Sequence, residues 1–288
     1  MNNKDILSGI LYGGGGGAAP SGSVTITQNG TYNVADKASA IVSVQSQEDA
    51  LLNGTIETYS NPSITEVRDK VFSAVGPNMK TVTLENVTTM GKQSFYDCTK
   101  LESISMPKLT TMGTYNFYNC SNLVTVNMPE LLSMGECGFE NCSNLVNVYM
   151  PKYRDKVGGG SAPFRNCPSL VKLHLPSFIG VLSMFVYKCP ALEEIEVGSP
   201  PSIQNTAFTN CPNIKTLIIR GESVTQLLRT QEISNTKIPT EGYVYVPASV
   251  IDQYKAASGW SDFASRFRAL EDYTIDGTAT GDLDPEKV

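Results

Sequence analysis

Residues Phe117 to Leu131 read FYNCSNLVTVNMPEL, and the same sentence recurs twenty-two residues to either side, as FYDCTKLESISMPKL from Phe95 and FENCSNLVNVYMPKY from Phe139. Anchored on cysteine, the copies fall at Cys98, Cys120, Cys142, Cys167, Cys189 and Cys211, with spacings of 22, 22, 25, 22 and 22. A fixed period in the low twenties is the mark of a solenoid: one coil cannot bury its own apolar face, so neighbouring coils must stack.

The columns of such a stack can be read directly. Three residues before each cysteine stand Phe95, Phe117, Phe139, Phe164, Val186 and Phe208, and three after it Leu101, Leu123, Leu145, Leu170, Leu192 and Ile214. Positions six and eight after the cysteine are apolar with a polar residue between, as in Ile104 and Met106 or Val126 and Met128. That alternation is a short strand with one buried face. Proline follows the strand in the first four copies and ends it, because proline has no N–H for the ladder. A degenerate copy without cysteine begins at Phe72. The three extra residues between Cys142 and Cys167, in a stretch containing GGGS, are expected to bulge as a surface loop.

The cysteine then reads as a small apolar side chain in an interior column. Parallel side chains about 4.8 Å apart suit a disulfide poorly, since its Cβ atoms want about 3.8 Å. Zinc also fits badly, with no CxxC pair and His174 the only histidine. Cys137 lies outside the column and is expected to be a further packed or half-exposed thiol.

The pattern F-x-x-C-x-x-L-x-x-I-x-L-P resembles the BspA-like bacterial leucine-rich repeat over residues 71–247. The resemblance implies a mainly β chain with some α: a right-handed leucine-rich-repeat solenoid carrying a parallel sheet on one side. Val186 in place of Phe, and Gly198 and Arg220 in place of Pro, depart from the pattern.

The flanks divide further. Residues 243–246 read as one more strand before Pro247, and Val250, Tyr254, Trp260, Phe263 and Phe267 give helical spacing in a cap over 248–272, which resembles the family's closing unit. Trp260 is expected to be a cap residue rather than a ligand platform. Residues 273–288 read as an acidic tail or hairpin around an Asp-Gly cue. Upstream, residues 1–12 form an expected attachment segment, 13–23 a glycine-rich linker, 24–46 a small β-module with a TQNG hairpin cue and a third strand at 41–44, and 47–70 a connecting segment or N-terminal cap. The module, ITQNGTYNV, resembles one found in tail and baseplate-associated proteins of phages of Gram-positive bacteria.

Net charge is −6 without a basic cluster, which speaks against duplex nucleic acid. No apolar run reaches the roughly 20 residues of a membrane helix, and no continuous secretory h-region is expected. No catalytic motif, cofactor loop or metal-ligand spacing is present, so no enzyme, cofactor or metal is expected.

A site, if there is one, belongs on the outward sheet positions five and seven after each cysteine. From Tyr149 onward these rows carry Tyr149, Lys172, His174, Glu194 and Glu196. Two readings stand: a solvated sheet face with Lys172–Glu194 pairing worth little, or a recognition patch for a cell-surface glycan or protein. The expectation is a binding protein of a phage or prophage tail, held to a tail or baseplate protein by residues 1–12 and assembled in the host cytoplasm. The alternative is a bacterial cell-surface adhesin of the repeat family.

Overall fold

The computed structural model describes residues 23–26, 31–36, 57–60, 62, 65–67, 69–75, 78–154, 162–204, 206–275 and 278–279. They form two compact units, residues 1–144 and 145–288. The attachment segment expected at 1–12, the glycine-rich linker up to residue 22, the strand expected at 41–44 and the 155–161 loop lie outside the described residues, and Ser23, expected in the linker, opens a strand.

Unit 1 contains β1 (Ser23–Ile26), β2 (Thr31–Asp36), β3 (Thr58–Ser60), β4 (Glu66–Val67), α1 (Val71–Val75), β5 (Thr81–Thr83), β6 (Thr89–Met90), β7 (Ser103–Ser105), β8 (Thr111–Met112), β9 (Thr125–Asn127) and β10 (Ser133–Met134). The main sheet runs β1-β2-β3-β5-β7-β9, and a second, narrow sheet runs β10-β8-β6-β4. From β2 onward every main-sheet pairing is parallel, and equivalent residues of successive coils face each other, as in Val82↔Ile104↔Val126. The antiparallel β1–β2 hairpin joins this sheet through Thr31↔Thr58 and Asn33↔Ser60. The N-terminal strands therefore continue the sheet of unit 1 instead of standing beside it.

Unit 2 contains β11 (Asn147–Tyr149), β12 (Lys172–Leu175), β13 (Glu194–Val197), β14 (Ser202–Ile203), β15 (Thr216–Ile219), β16 (Gln226–Leu227), α2 (Gln231–Ser234), β17 (Tyr243–Val246), α3 (Ile251–Ala256), β18 (Phe267–Ala269), β19 (Thr274–Ile275) and β20 (Thr278–Ala279). Its main sheet runs β11-β12-β13-β15-β17-β18, all parallel. β14 pairs with β16, and β19 with β20 as a short antiparallel pair.

The core of each unit is the set of sequence columns. In unit 1 the rings of Phe72, Phe95, Phe117 and Phe139 stack with centroids 4.5, 5.3 and 5.0 Å apart and planes within 15°. Val186 breaks the phenylalanine column in unit 2, and the neighbouring Phe185 supplies the missing ring against Phe164 (5.9 Å) and Phe178 (4.8 Å). All seven cysteines are free and buried. The column thiols also make hydrogen bonds. Cys120 Sγ donates to Phe95 O (3.1 Å), Cys142 to Phe117 O (3.1 Å), Cys189 to Phe164 O (3.0 Å) and Cys211 to Val186 O (2.7 Å). Each bond crosses to the preceding coil, so the position calls for a small apolar side chain with one donor.

The narrow strands come from a recurring Thr-Met or Ser-Met pair eight residues before the cysteine, with Met90, Met112 and Met134 buried. The glycine that follows is a close-approach site: a Cβ on Gly113 would lie 2.8 Å from Gly91 O. The coil then turns through two left-handed residues. One stands five positions before the cysteine (Gln93, Tyr115, Cys137, Ala162, Met184, Thr206) and one immediately before it (Asp97, Asn119, Asn141, Asn166, Lys188, Asn210). Asn and Asp dominate the second position because they tolerate this region best after glycine. Cys137, outside the cysteine column, is thus a left-handed turn residue with φ 54°.

The turn N–H groups bond across to the next coil: Gln93 N to Thr114 O (2.9 Å), Phe95 N to Asn116 O (3.0 Å), Tyr115 N to Glu136 O (2.8 Å) and Phe117 N to Gly138 O (2.8 Å). At the turn before Cys211 a side chain replaces the next coil. Glu232 on α2 accepts from Thr206 N (2.7 Å) with Oε1 and from Phe208 N (2.9 Å) with Oε2. Beyond it the helical cap buries Val250, Tyr254, Trp260, Phe263 and Phe267. Trp260 Nε1 donates to Thr225 O (2.7 Å), and the Tyr254 hydroxyl accepts from Thr225 N (3.0 Å), so Trp260 is a cap residue. Phe267 differs from its expected helical placement: it sits on β18, paired with Val244.

Candidate functional site

The parallel register of unit 2 brings the five singled-out residues together. Tyr149, His174 and Glu196 share one cross-strand row, and Lys172 and Glu194 share the other. Tyr149, Lys172 and Glu194 are half-buried, in keeping with an outward position, but His174 and Glu196 are 0% exposed. The expectation of an open face is corrected for these two. After β18 the chain turns through Leu270–Asp272 and lays Tyr273 over the same face. The Tyr273 ring packs on Ile218 and meets Tyr245 edge-on at 4.8 Å. Its phenol lies close to Glu194. An outward-position isoleucine in the same row as His174 and Glu196, Ile218, gives the segment an apolar anchor.

Beneath Tyr273 lies a chain of ionisable groups. His174 Nε2 meets Glu194 Oε1 at 2.6 Å, and its Nδ1 faces Glu196 Oε2 at 3.7 Å. Glu196 Oε1 is paired with Arg220 Nε from the end of β15. Burial pushes Glu194 up, but the hydrogen bond and attraction of His174, with the Tyr273 phenol and Lys172, outweigh it and hold that carboxyl below its ordinary range. Burial dominates at Glu196 and raises its carboxyl, against the pull of Arg220 and His174. Burial and Glu194 together raise the Tyr273 phenol. With His174 and Glu196 enclosed, a ligand reaches neither in this arrangement. The cluster ties β12, β13 and β15 to one another and to the Tyr273 segment.

Two of the thiols, Cys98 and Cys137, are also withdrawn from chemistry. Burial pushes Cys98 up to about 12, and burial with Glu140 does the same at Cys137. Thiolate character, which a nucleophile or metal ligand needs, is thereby suppressed. Among the described residues no group of three or more His, Cys, Asp or Glu is arranged to hold a metal ion.

Surface chemistry is also present in two places on unit 1. On the sheet of unit 1, positions five and seven are neutral: Thr81, Thr83, Ser103 and Ser105 are half-buried, and Thr125 and Asn127 are exposed. Asn127 Nδ2 donates to Ser105 Oγ (3.0 Å), so adjacent strands are coupled along this row. On the turn edge of the same unit, Tyr96 and Tyr118 stack at 4.9 Å with planes 8° apart, and Tyr115 meets Tyr118 edge-on at 5.8 Å. Sequence periodicity signals the first array. The second was legible only in the repeated Phe-Tyr pair, Phe95-Tyr96 and Phe117-Tyr118.

Coils of twenty-two residues, each giving one short parallel strand, an interior phenylalanine and leucine column and a tight turn, define a leucine-rich repeat protein. The sequence matches the model of the BspA type leucine rich repeat region in six copies, over residues 54–145 and 110–232, and the chain belongs to that family. Similar solved structures include a leucine-rich repeat protein of T. pallidum, at 21% identity over 56% of this chain and 80% of that chain, TM-score 0.43. A leucine-rich repeat protein from Bacteroides ovatus aligns at 16% identity over 76% of this chain and 79% of that chain, TM-score 0.35. TLR13, in its complex with ssRNA13, aligns at 18% identity over 69% of this chain and 34% of that chain, TM-score 0.45. No curated protein matches the chain. Stacked repeats of this kind build extended surfaces suited to binding. Among the described residues no helix is long and apolar enough to cross a membrane.

Proposed function

We propose that this chain is a non-enzymatic adhesion protein that binds a protein or glycan at a bacterial cell surface through outward side chains of its repeats. One observation carries the reading. The residues with the most distinctive chemistry are built into the fold: four column thiols bond to carbonyls of the preceding coil, and His174 and Glu196 are enclosed with Arg220. What faces outward is side chains at a fixed cross-strand spacing, the geometry of a recognition surface. In unit 2 the accessible part of that surface includes Tyr149 and Lys172, beside Glu194. The test is binding of the labelled full chain to intact bacterial and host cells, with Tyr149→Ala and Lys172→Ala variants of unchanged melting temperature. Loss of binding in either variant supports recognition on this face, and undiminished binding in both counts against it.

The N-terminal stretch ITQNGTYNV favours a second reading, a receptor-binding protein of a phage or prophage tail anchored by residues 1–12. Co-purification of the full chain with assembled tail particles, lost on deleting residues 1–12, is its expected result. A 13–288 chain that still incorporates counts against that anchor.

A further inference from the structure

The turn edge two residues before the cysteine column carries a tyrosine in three coils, and the two units treat it differently. In unit 2, Tyr187 is flanked by cations of its own chain, with Arg165 Cζ and Lys188 Nζ each 5.4 Å from the ring centroid. Arg165 occupies the position equivalent to Tyr187 one coil earlier, so at this ring the edge places a cation of the neighbouring coil within reach. In unit 1 the equivalent positions are Tyr96, Tyr118 and Glu140, followed by Asp97, Asn119 and Asn141, with no lysine or arginine among them. Among the described residues no cation lies over Tyr96, Tyr115 or Tyr118.

The three tyrosines are half-buried, held as a stacked pair with an edge-on third, and the charges beside them are negative. Asp97 adjoins Tyr96, and Glu136 lies near Tyr115. Asp97 accepts a hydrogen bond from Asn119 Nδ2 (2.8 Å), a neutral donor that leaves its charge in place. Within the described residues neither Asp97 nor Glu136 has an ion-pair partner. Rigid tyrosines at low side-chain entropy cost are the residues that anchor interfaces. Their negative ring faces, bordered by carboxylates, ask for positive charge.

We infer that the Tyr96–Tyr115–Tyr118 edge of unit 1 is a docking surface for a basic segment of a partner protein, with an arginine or lysine side chain taking the place over the rings that Arg165 and Lys188 take over Tyr187. The inference deepens the proposed binding function and rests on it. A guanidinium fits this edge better than an ammonium, because its plane lies flat on a ring while its N–H groups reach Asp97.

The probe is a fluorescein-labelled peptide of alternating arginine and glycine, titrated against the full chain by anisotropy at two ionic strengths. A matched peptide with citrulline in place of arginine removes the charge and keeps the shape. Tyr96→Leu and Tyr118→Leu keep apolar bulk and lose the ring quadrupole, whereas Tyr118→Phe keeps the ring. The expected result is saturable binding of the arginine peptide alone, weakened about 5- to 30-fold by each leucine variant and nearly unchanged by the phenylalanine variant. Equal affinity in the leucine variants overturns the inference, as does equal binding of the citrulline peptide. So does capture of neutral oligosaccharides with no peptide binding, or self-association of the chain that Arg165→Ala and Lys188→Ala abolish. The cell-binding assay separates the two readings. A Tyr96→Leu/Tyr118→Leu chain that binds cells as before removes this edge and leaves the general function intact. A wild-type chain that binds no cell surface removes the function itself.

Discussion

His174 and Glu196 face each other across 3.7 Å, both fully enclosed, and the two facing atoms, Nδ1 and Oε2, have no hydrogen-bond partner. A buried carboxylate beside an imidazole is tolerable only while its other oxygen is paired, and Arg220 provides that pair. Arg220→Ala is expected to cost about 3–5 kcal/mol at neutral pH, because it strands the Glu196 charge in the interior. The Glu196 carboxyl is raised in the fold, so it takes up a proton above the ordinary carboxylate range, and the cost shrinks as pH falls toward that range. Denaturant unfolding of wild type and variant at neutral and mildly acidic pH measures both. A cost independent of pH would mean that the Glu196–Arg220 pair does not carry it.

Glu194 has the opposite sign. Its carboxyl is held below the ordinary range, so its contribution is fully present above the unfolded value and is lost as pH falls through the folded one. Glu194→Gln is therefore expected to separate from wild type at neutral pH and to converge with it at strongly acid pH. Thermal melts across that range check the convergence, and curves that stay parallel contradict it.

Glu232 ends the ladder of turn hydrogen bonds that the coils otherwise make with one another. Removing it leaves Thr206 N and Phe208 N without their acceptor. Glu232→Ala is expected to cost about 2–4 kcal/mol, and Glu232→Gln, which keeps one acceptor oxygen, distinctly less. Hydrogen exchange at the amides of Thr206 and Phe208 reads the same loss locally. Unchanged protection there in Glu232→Ala shows that the carboxylate is not the cap.

The residue before each column cysteine is left-handed, and at Lys188 the chain holds φ 61° without the help that Asn gives elsewhere. Lys188→Asn is expected to stabilise unit 2 by up to about 1 kcal/mol, and Asn119→Ala to destabilise unit 1 by about 1–2 kcal/mol. Melting temperatures test both. If the two substitutions shift stability the same way, backbone conformation is not what selects Asn.

The cysteine column was legible because its period never depends on long-range folding: the positions of Cys120, Phe117 and Leu123 recur in six coils, with Val186 and Ile214 the replacements. The two-residue strands such as Thr111–Met112 were not, because two residues cannot display an alternation. Their signal was the recurring Thr-Met-Gly itself. The enclosure of His174 and Glu196 was equally hidden. It depends on Tyr273, which lies seventy-seven residues beyond Glu196, belongs to no repeat and announces no partner in its local sequence. Glu232 escaped notice for the same reason, since a capping contact made once has no periodicity.

Thiol counting by mass spectrometry tests the buried column most directly. A small alkylating reagent is applied without reductant, first to the folded chain and then after denaturation. The interior column predicts six protected cysteines, with Cys137 also slow because it is buried, followed by modification of all seven thiols once the chain unfolds. Rapid labelling of Cys120 or Cys142 in the folded chain, or fewer than seven modified thiols after unfolding, would contradict a column of free, enclosed cysteines.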